Sequence, residues 1–247
     1  MAGHSKWSKI KRKKAANDQK TGTIFTRLLR EVQVAAKFGG PSPDGNPRLR
    51  LAIQAAKAAR VPNDNIERAI KRGAGLEESV NYEEMVYEAY GPAGVAFLIK
   101  ALTDNKNRTV AEVRHAVNKC NGNLANSNAV AYLFNEKGII TVDKDQVSEE
   151  ELFDLALDAG ADDIGDQDEY WEIVCEPASF SEVQTAVDGL GKEYSADLQM
   201  VPDTTVKVTG KDAQMVIRLL DMLDDLDDVQ SVSANFEMDD TELQKVQ

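Results

Sequence analysis

The sequence predicts a multidomain α+β protein, in which an N-terminal three-helix domain precedes two α/β open-faced sandwich (ferredoxin-like) domains, one inserted in the other. Three observations predict this class. Apolar residues recur at helical spacing through the first third of the chain, strands alternate with helices after it, and one complete strand–helix set interrupts another. The predicted domains are 1–78 for a basic tail plus the helical domain, 79–130 with 204–247 for the discontinuous α/β domain, and 131–203 for the inserted one.

Three helices are predicted in the first third. Residues 23–38 read TIFTRLLREVQVAAKF, with the apolar residues on one helical stripe, and a Gly-Gly pair ends the helix. Asn46 is a suitable N-cap for a second helix, which Pro62 closes. Asp64 and Glu67 predict a capping box at the start of the third.

The discontinuous α/β domain is predicted from two separated fragments. Thr109 and Glu112 have the spacing of a capping box and open the helix of the first fragment. Each fragment would leave its sheet incomplete without the other. The predicted elements are strands at 85–90 and 95–102 with a helix at 109–119, then a strand at 204–209, a helix at 213–226 and a strand at 229–238.

A complete β-β-α-β-α-β set lies between these fragments. A hairpin is predicted to pair 131–134 with 138–142 across Asn135–Lys137. Ser148 and Ser179 each precede a glutamate by three residues, so both predict a helix start. Because this set is complete in itself, an insertion is favoured over three tandem domains, which would leave two incomplete sheets. The remaining predicted strands are at 170–176 and 193–201.

The charge of the chain is divided between its two parts. The whole carries a formal net charge of −13, but residues 1–78 hold 17 Lys/Arg against 7 Asp/Glu, and residues 79–247 hold 12 against 35. Such asymmetry predicts a polyanion partner, meaning nucleic acid, for the basic part. The acidic part is expected to repel the same partner and to meet another protein or a second copy of the chain.

The predicted nucleic-acid contacts fall in three groups. A concentrated block of like charge gains most by ordering on phosphates, although a disordered tail is the alternative. Trp7, inside the block, could stack on a base or pack against the first helix. For the cations on the predicted helices, the alternative to nucleic-acid contact is an ordinary solvated surface. For the two cations at the start of the 109–119 helix, the alternative is that they serve only the loop and the helix cap. The groups are His4, Lys6, Trp7, Lys9, Lys11, Arg12, Lys13, Lys14 and Lys20; then Arg27, Arg30, Arg48, Arg50, Arg68, Lys71 and Arg72; then Lys106 and Arg108.

No catalytic, metal or membrane motif is found, so the sequence predicts neither an enzyme, a cofactor nor a metal. Cys120 and Cys175 alone cannot form a disulfide framework or a zinc site, which favours a reducing, cytoplasmic setting. No apolar run is long enough to cross a bilayer. Two acidic clusters are expected to be solvated faces, the second with protein docking as an alternative: Asp162, Asp163, Asp166, Asp168 and Glu169; and Asp221, Asp224, Asp225, Asp227 and Asp228.

Five segments resemble the YebC/PmpR family of bacterial transcriptional regulators and related mitochondrial translational activators. They read GHSKW, NPRLR, NIERAIKRG, YGPAGVA and LTDNKNRTVAEVR, and they begin at residues 3, 46, 65, 90 and 102. The resemblance implies a three-domain protein, DNA binding in the cytoplasm and control of gene expression. Because bacterial members carry no presequence and GHSKW begins at residue 3, it also implies that no presequence has been added in front of it. Some members are associated with the ribosome and with relief of stalled translation. The chain departs from the family where Asn121, Ala125 and Asn128 replace glycines.

Two functions therefore stay open from the sequence. The first is a DNA-binding transcriptional regulatory protein, although no helix-turn-helix or reading helix can be identified. The second is an RNA- or ribosome-associated translation factor that relieves stalled translation, because the same charge suits rRNA or tRNA. Phosphate contacts carry no sequence information, so the basic block alone does not separate the two.

Overall fold

A computed structural model describes residues 21–78, 80–167, 169–239 and 242. The described residues divide into two compact units, one formed by those up to 133 together with those from 202 onward, and the other by those in 134–201. The observed class is α+β, as predicted. The finer division of the first unit into a helical domain and an α/β domain stays a prediction.

The N-terminal part of the first unit is a three-helix region that packs around its first helix. Its core comprises nine buried residues, among them Val32 of α1, Leu49 of α2 and Ile66 of α3. The Asn46 side chain caps α2 by accepting a hydrogen bond from the Leu49 amide at 3.1 Å, as predicted. The predicted Asp64–Glu67 capping box is wrong, because α3 begins after Pro62 without a side-chain cap. The helices are α1 (Thr21–Gly39), α2 (Pro47–Ala58) and α3 (Asn63–Gly73).

The sheet of the first unit has the strand order β3-β1-β2-β9, with β1–β2 and β2–β9 antiparallel. The capping box at Thr109 is wrong, because α4 begins three residues earlier with Asn105 as its N-cap. The predicted final strand is split by Asn235 into β9 and β10, and β8 keeps only two residues, paired with β10. The elements are β1 (Glu83–Tyr90), β2 (Ala96–Thr103), α4 (Lys106–Lys119), β3 (Asn123–Leu124), and, after residue 202, β8 (Val206–Lys207), α7 (Gly210–Asp224), β9 (Val229–Ala234) and β10 (Phe236–Glu237).

A buried carboxylate holds the loop that follows β3. Glu88 of β1 is 6% exposed and accepts backbone hydrogen bonds from Asn128 at 2.6 Å, Val130 at 2.6 Å and Ala131 at 2.9 Å. Burial alone would raise the pKa of Glu88, but these hydrogen bonds outweigh it and lower the pKa below its ordinary value. Asn121 and Asn128 have φ values of 59° and 66°. Asparagine tolerates this left-handed region better than other residues with a Cβ, so these two departures from glycine keep the backbone conformation available.

The second unit contains β4-α5-β5-β6-α6-β7 in the sheet order β5-β6-β4-β7, which is a ferredoxin-like arrangement. The predicted hairpin across Asn135–Lys137 is wrong, because residues 134–143 form one continuous strand. The strand that was not predicted, β5, lies at the edge of the sheet and carries three acids of the first acidic cluster, Asp162, Asp163 and Asp166. Asp168 of that cluster lies outside the described residues. The elements are β4 (Phe134–Asp143), α5 (Glu149–Asp158), β5 (Ala161–Gln167), β6 (Tyr170–Cys175), α6 (Phe180–Asp188) and β7 (Tyr194–Pro202).

Candidate nucleic-acid interface

The first group of predicted contacts lies outside the described residues. It comprises His4, Lys6, Trp7, Lys9, Lys11, Arg12, Lys13, Lys14 and Lys20. The interface is therefore built here from the three-helix region and from the start of α4.

Two of the predicted arginines on α1 contact the end of α7 and the loop that follows it. Arg27 donates through Nη2 to the carbonyl oxygens of Asp224 and, at 3.2 Å, of Leu226. The last carbonyls of a helix lack partners within it and carry partial negative charge, which a guanidinium satisfies. Burial lowers the pKa of Arg27, although the nearby carboxylates of Asp224 and Asp227 act in the opposite direction. Arg27 thus joins the three-helix region to α7.

Arg30, one turn further along α1, reaches the loop between α7 and β9. Its Nη1 donates to the Asp227 carbonyl at 2.6 Å and to Oδ1 of Asp228 at 2.9 Å. Its guanidinium carbon also lies 5.2 Å from the centre of the Tyr82 ring, within cation–π range. The Arg30 side chain is only 14% exposed. The Arg30 guanidinium is therefore largely covered by the protein, with Nη1 donating to Asp227 and Asp228 and Nε buried without a partner among the described residues.

Asp228 is the common acceptor at this junction. Its side chain is 2% exposed, and Oδ2 accepts from Nη2 of Arg108 at 2.6 Å and from the hydroxyls of Thr109 at 2.7 Å and Thr103 at 3.2 Å. Burial acts to raise the pKa of Asp228, but the bonds from Arg108 and Thr109 and the charges of Arg108 and Arg30 lower it overall. The carboxylate therefore ties together α1, the end of β2 and the start of α4.

An open cleft of about 340 Å³ borders this cluster. Arg108 also donates to Asp104 at 2.8 Å, and its hydrogen bonds to the two carboxylates raise its pKa. Carboxylates outnumber guanidinium groups in the lining, which makes the cleft a poor phosphate site. The lining residues are Arg30, Asp104, Arg108, Glu112, Asp225, Leu226, Asp227 and Asp228.

Three further predicted cations form exposed ion pairs. Arg48 contacts Glu31 and Glu84, each at 2.6 Å, and Lys106 contacts Glu83 at 2.7 Å. Arg72 lies 3.8 Å from Glu77. Exposed ion pairs are weak, because both partners stay hydrated, so these cations can exchange a carboxylate for a phosphate at little cost.

The remaining predicted cations of the three-helix region are exposed and form no ion pair with any described residue. Arg68 and Lys71 lie on α3, and Arg50 lies on α2, where it donates only to carbonyls of its own loop. Sequence reasoning did not select two equivalent cations, Lys57 and Arg60. Lys57 could have been found from its spacing, since it lies seven residues after Arg50 and shares its helix face.

Other classes of site were also sought in the described part of the chain. No group of three or more His, Cys, Asp or Glu side chains there is arranged to hold a metal ion. The helices of the described ranges are all too short or too polar to span a bilayer. Both cysteines are buried and free.

The fold and the distribution of charge define a multidomain α+β protein with a cationic three-helix region. Family models for the TACO1/YebC protein match the chain over most of its length, the N-terminal domain at residues 5–76 and the second and third domain at residues 82–236. The chain therefore belongs to the TACO1/YebC family, which confirms the resemblance drawn from the sequence.

Similar proteins match over almost the whole chain. One from Geobacter sulfurreducens is named a probable transcriptional regulatory protein and is 51% identical over 100% of both chains. Another with that name, from Thermotoga maritima, is 50% identical over 100% of this chain and 98% of its own. The crystal structure of a conserved hypothetical protein from Aquifex aeolicus is 47% identical, has a TM-score of 0.83, and covers 90% of this chain and 92% of its own.

Proposed function

We propose that this chain is a DNA-binding transcriptional regulatory protein that grips phosphates with its basic N-terminal region. The observation that carries the proposal is the separation of charge, with ten more cations than acids in residues 1–78 and an excess of acid after them. Relatives at about half identity over full length bear the name of probable transcriptional regulatory proteins, which supports the regulatory role.

The described cations support a division of labour within this region. Arg27, Arg30 and Arg108 each donate through their terminal nitrogens to carbonyls or carboxylates of the same chain. Arg68 and Lys71 are exposed and form no ion pair in the described part of the structure. Phosphate binding is therefore assigned to the N-terminal block and to the exposed surface of α2 and α3. Arg27, Arg30 and Arg108 instead fix the position of the three-helix region within the protein.

Salt dependence tests the grip. Replacing Lys11, Arg12, Lys13 and Lys14 together with glutamine should weaken binding to a duplex DNA fragment and flatten its dependence on salt. Each lost contact with a B-DNA phosphate lowers the log–log slope by roughly 0.9, so four contacts lower it by about 3.6. A fourfold glutamine replacement of exposed cations in the acidic part, at Lys119, Lys192, Lys211 and Arg218, serves as the control. An unchanged slope in the N-terminal variant would remove that block from the interface.

The translation alternative is tested in the same preparation. Purified ribosomes and promoter fragments are compared at near-physiological salt, with binding measured by co-sedimentation and by mobility shift. A specificity ratio of about 10³ or more for one DNA site supports transcriptional regulation. Co-sedimentation with ribosomes, without preference among DNA sequences, would instead support the translation factor.

A further inference from the structure

Helix α3 presents a polar face that its own fold does not use. Ile66 and Ala69 are buried against the rest of the three-helix core. On the opposite side, Asp64, Arg68 and Lys71 follow one another at intervals of four and three residues, and all three are exposed. Neither cation pairs with a carboxylate in the described ranges, not even Arg68 with Asp64 one turn before it. Helix α3 thus offers an outward row of side chains.

The connection from α2 to α3 is short and fixed by its own hydrogen bonds. Only four residues, 59–62, separate the helices, and Arg60 takes the left-handed conformation with a φ of 61°. The Val61 amide donates to the Ala56 carbonyl at 2.9 Å, and the Val61 side chain is buried, which together make a Schellman motif. A turn of three or four residues between two helices is one feature of a helix-turn-helix unit.

Helix α2 would be the first helix of such a unit, and α3 the second. Arg50 and Lys57 lie two turns apart on one exposed face of α2. In helix-turn-helix proteins the first helix crosses the phosphate backbone while the N-terminal half of the second enters the major groove. The other helix of the region, α1, is excluded from this role because Arg27 and Arg30 bind to the end of α7 and to the loop that follows it.

We propose that α3 is the sequence-reading helix of a helix-turn-helix unit formed by residues 47–73, and that its ligand is B-form duplex DNA. Arg68 is placed to contact a guanine edge, as a guanidinium can donate to O6 and N7 together. Asn63, exposed in the first turn of α3, suits an adenine edge. Lys71, Arg50 and Lys57 contact phosphates. This inference rests on the proposed function, and it adds which helix reads the sequence.

The geometry selects DNA over duplex RNA. The major groove of B-DNA is about 12 Å wide and admits a helix, whereas the major groove of A-form RNA is too deep and narrow for side chains to read. The carboxylates of Asp64 and Glu67 lie on or beside the reading face. They disfavour contact with phosphates there but can accept a hydrogen bond from cytosine N4. This face therefore favours sequence-specific over non-specific DNA binding.

The test is selection from a random duplex DNA library with the full-length chain, followed by affinity measurements on the enriched sequence and on duplex RNA of the same sequence. Arg68→Ala should lose discrimination at one base pair by about 5- to 150-fold, which corresponds to roughly 1–3 kcal/mol. Lys71→Ala should weaken all sequences alike and lower the salt slope by about one. Arg218→Ala, an exposed arginine on α7, is the matched control and should change neither quantity.

The outcomes separate this inference from the proposed function. If the intact chain enriches a sequence and Arg68→Ala enriches the same one with equal discrimination, α3 is not the reading helix but DNA binding stands. Binding without any sequence preference, or equal affinity for duplex RNA, also overturns the inference. If the intact chain does not bind duplex DNA, the proposed function fails as well, whether or not it binds RNA. Circular dichroism confirms folding of each variant, since all three side chains are exposed.

Discussion

Replacing Glu88 with glutamine should release the loop that its carboxylate holds. One carboxylate oxygen accepts from the Asn128 amide and the other from the amides of Val130 and Ala131. Glutamine has one oxygen and one NH₂ group, so its oxygen can still accept from the amides of Val130 and Ala131. Its NH₂ group, which is a donor, then faces the Asn128 amide, which is also a donor, and that hydrogen bond is lost. A buried donor left without a partner costs about 1–3 kcal/mol, and the surviving bonds lose their charge assistance. A local destabilisation of roughly 2–4 kcal/mol follows.

Hydrogen exchange measures this effect directly. The amides of Asn128, Val130 and Ala131 should exchange faster in Glu88→Gln, by a factor that reports the local opening free energy. Exchange is preferable to global unfolding, because the chain has two compact units and a single unfolding transition is not assured. Glu78→Gln, at an exposed glutamate of the same unit, should leave these amides unchanged.

The pH dependence of the same measurement tests the charge. The folded-state pKa of Glu88 is lowered, so its carboxylate contributes stability above the unfolded pKa of about 4.3. That contribution is lost as pH falls through the folded pKa. The difference between the wild type and Glu88→Gln should therefore be constant from about pH 6 to 8 and shrink below about pH 4. Equal amide protection in both proteins at pH 7 would refute the reasoning, as would a difference that persists in acid.

Three other substitutions or treatments have defined outcomes. Asp228→Asn should destabilise the first unit by roughly 2–4 kcal/mol in urea denaturation. This loss is smaller than the free-energy cost of breaking a fully buried ion pair, because the side chain of one partner, Arg108, is 42% exposed. Gly73→Ala should destabilise by about 1–3 kcal/mol in the same assay, since its Cβ would lie 2.2 Å from the Gln33 carbonyl oxygen. Burial raises the pKa of Cys175 to about 11, so iodoacetamide at pH 8 should leave it unmodified until the protein is unfolded.

Each of these outcomes has a contrasting control. Gly45→Ala adds the same methyl group where nothing lies within 4 Å, so a comparable loss of stability there would show that helix packing at Gly73 is not the cause. For Asp228, an exposed acid such as Asp212 should tolerate the change to asparagine, and equal effects at both positions would contradict the buried cluster. Rapid alkylation of Cys175 in the native protein would contradict its burial.

The class of fold followed from the sequence because its signals are local. The stripe of α1 and the cap at Asn46 are encoded within a few residues, and the structure confirms both. The β5 strand was missed for a physical reason. It reads ADDIGDQ, which is polar at most positions, because an edge strand needs only one paired side and uses charge to discourage further pairing. Its acids also pair with lysines of β4 and of the loop after it, for instance Asp162 with Lys137 at 2.9 Å.

The capping errors have a similar origin. Thr109 has the spacing of a capping residue, yet its hydroxyl is buried and donates to Asp228, 119 residues away in sequence. Asn105 then takes the N-cap, and its side chain accepts from the Arg108 amide at 3.1 Å. A local pattern identifies residues able to cap a helix, but a tertiary acceptor decides which of them does so.

The same limit governs the candidate interface. Arg27 and Arg30 have the spacing of solvent-facing cations, and nothing within α1 distinguishes them from Arg68. Their acceptors lie almost 200 residues further along the chain, at the end of α7 and in the loop before β9. Counting charge in residues 1–78 thus establishes the sign of the surface but overstates the number of side chains free to grip a phosphate. Some cations of the three-helix region bind residues between α7 and β9, and others face outward without an ion pair in the described part of the chain. Only the acceptors seen in the structure distinguish the two kinds, and the outward-facing cations include Arg68 and Lys71 of α3.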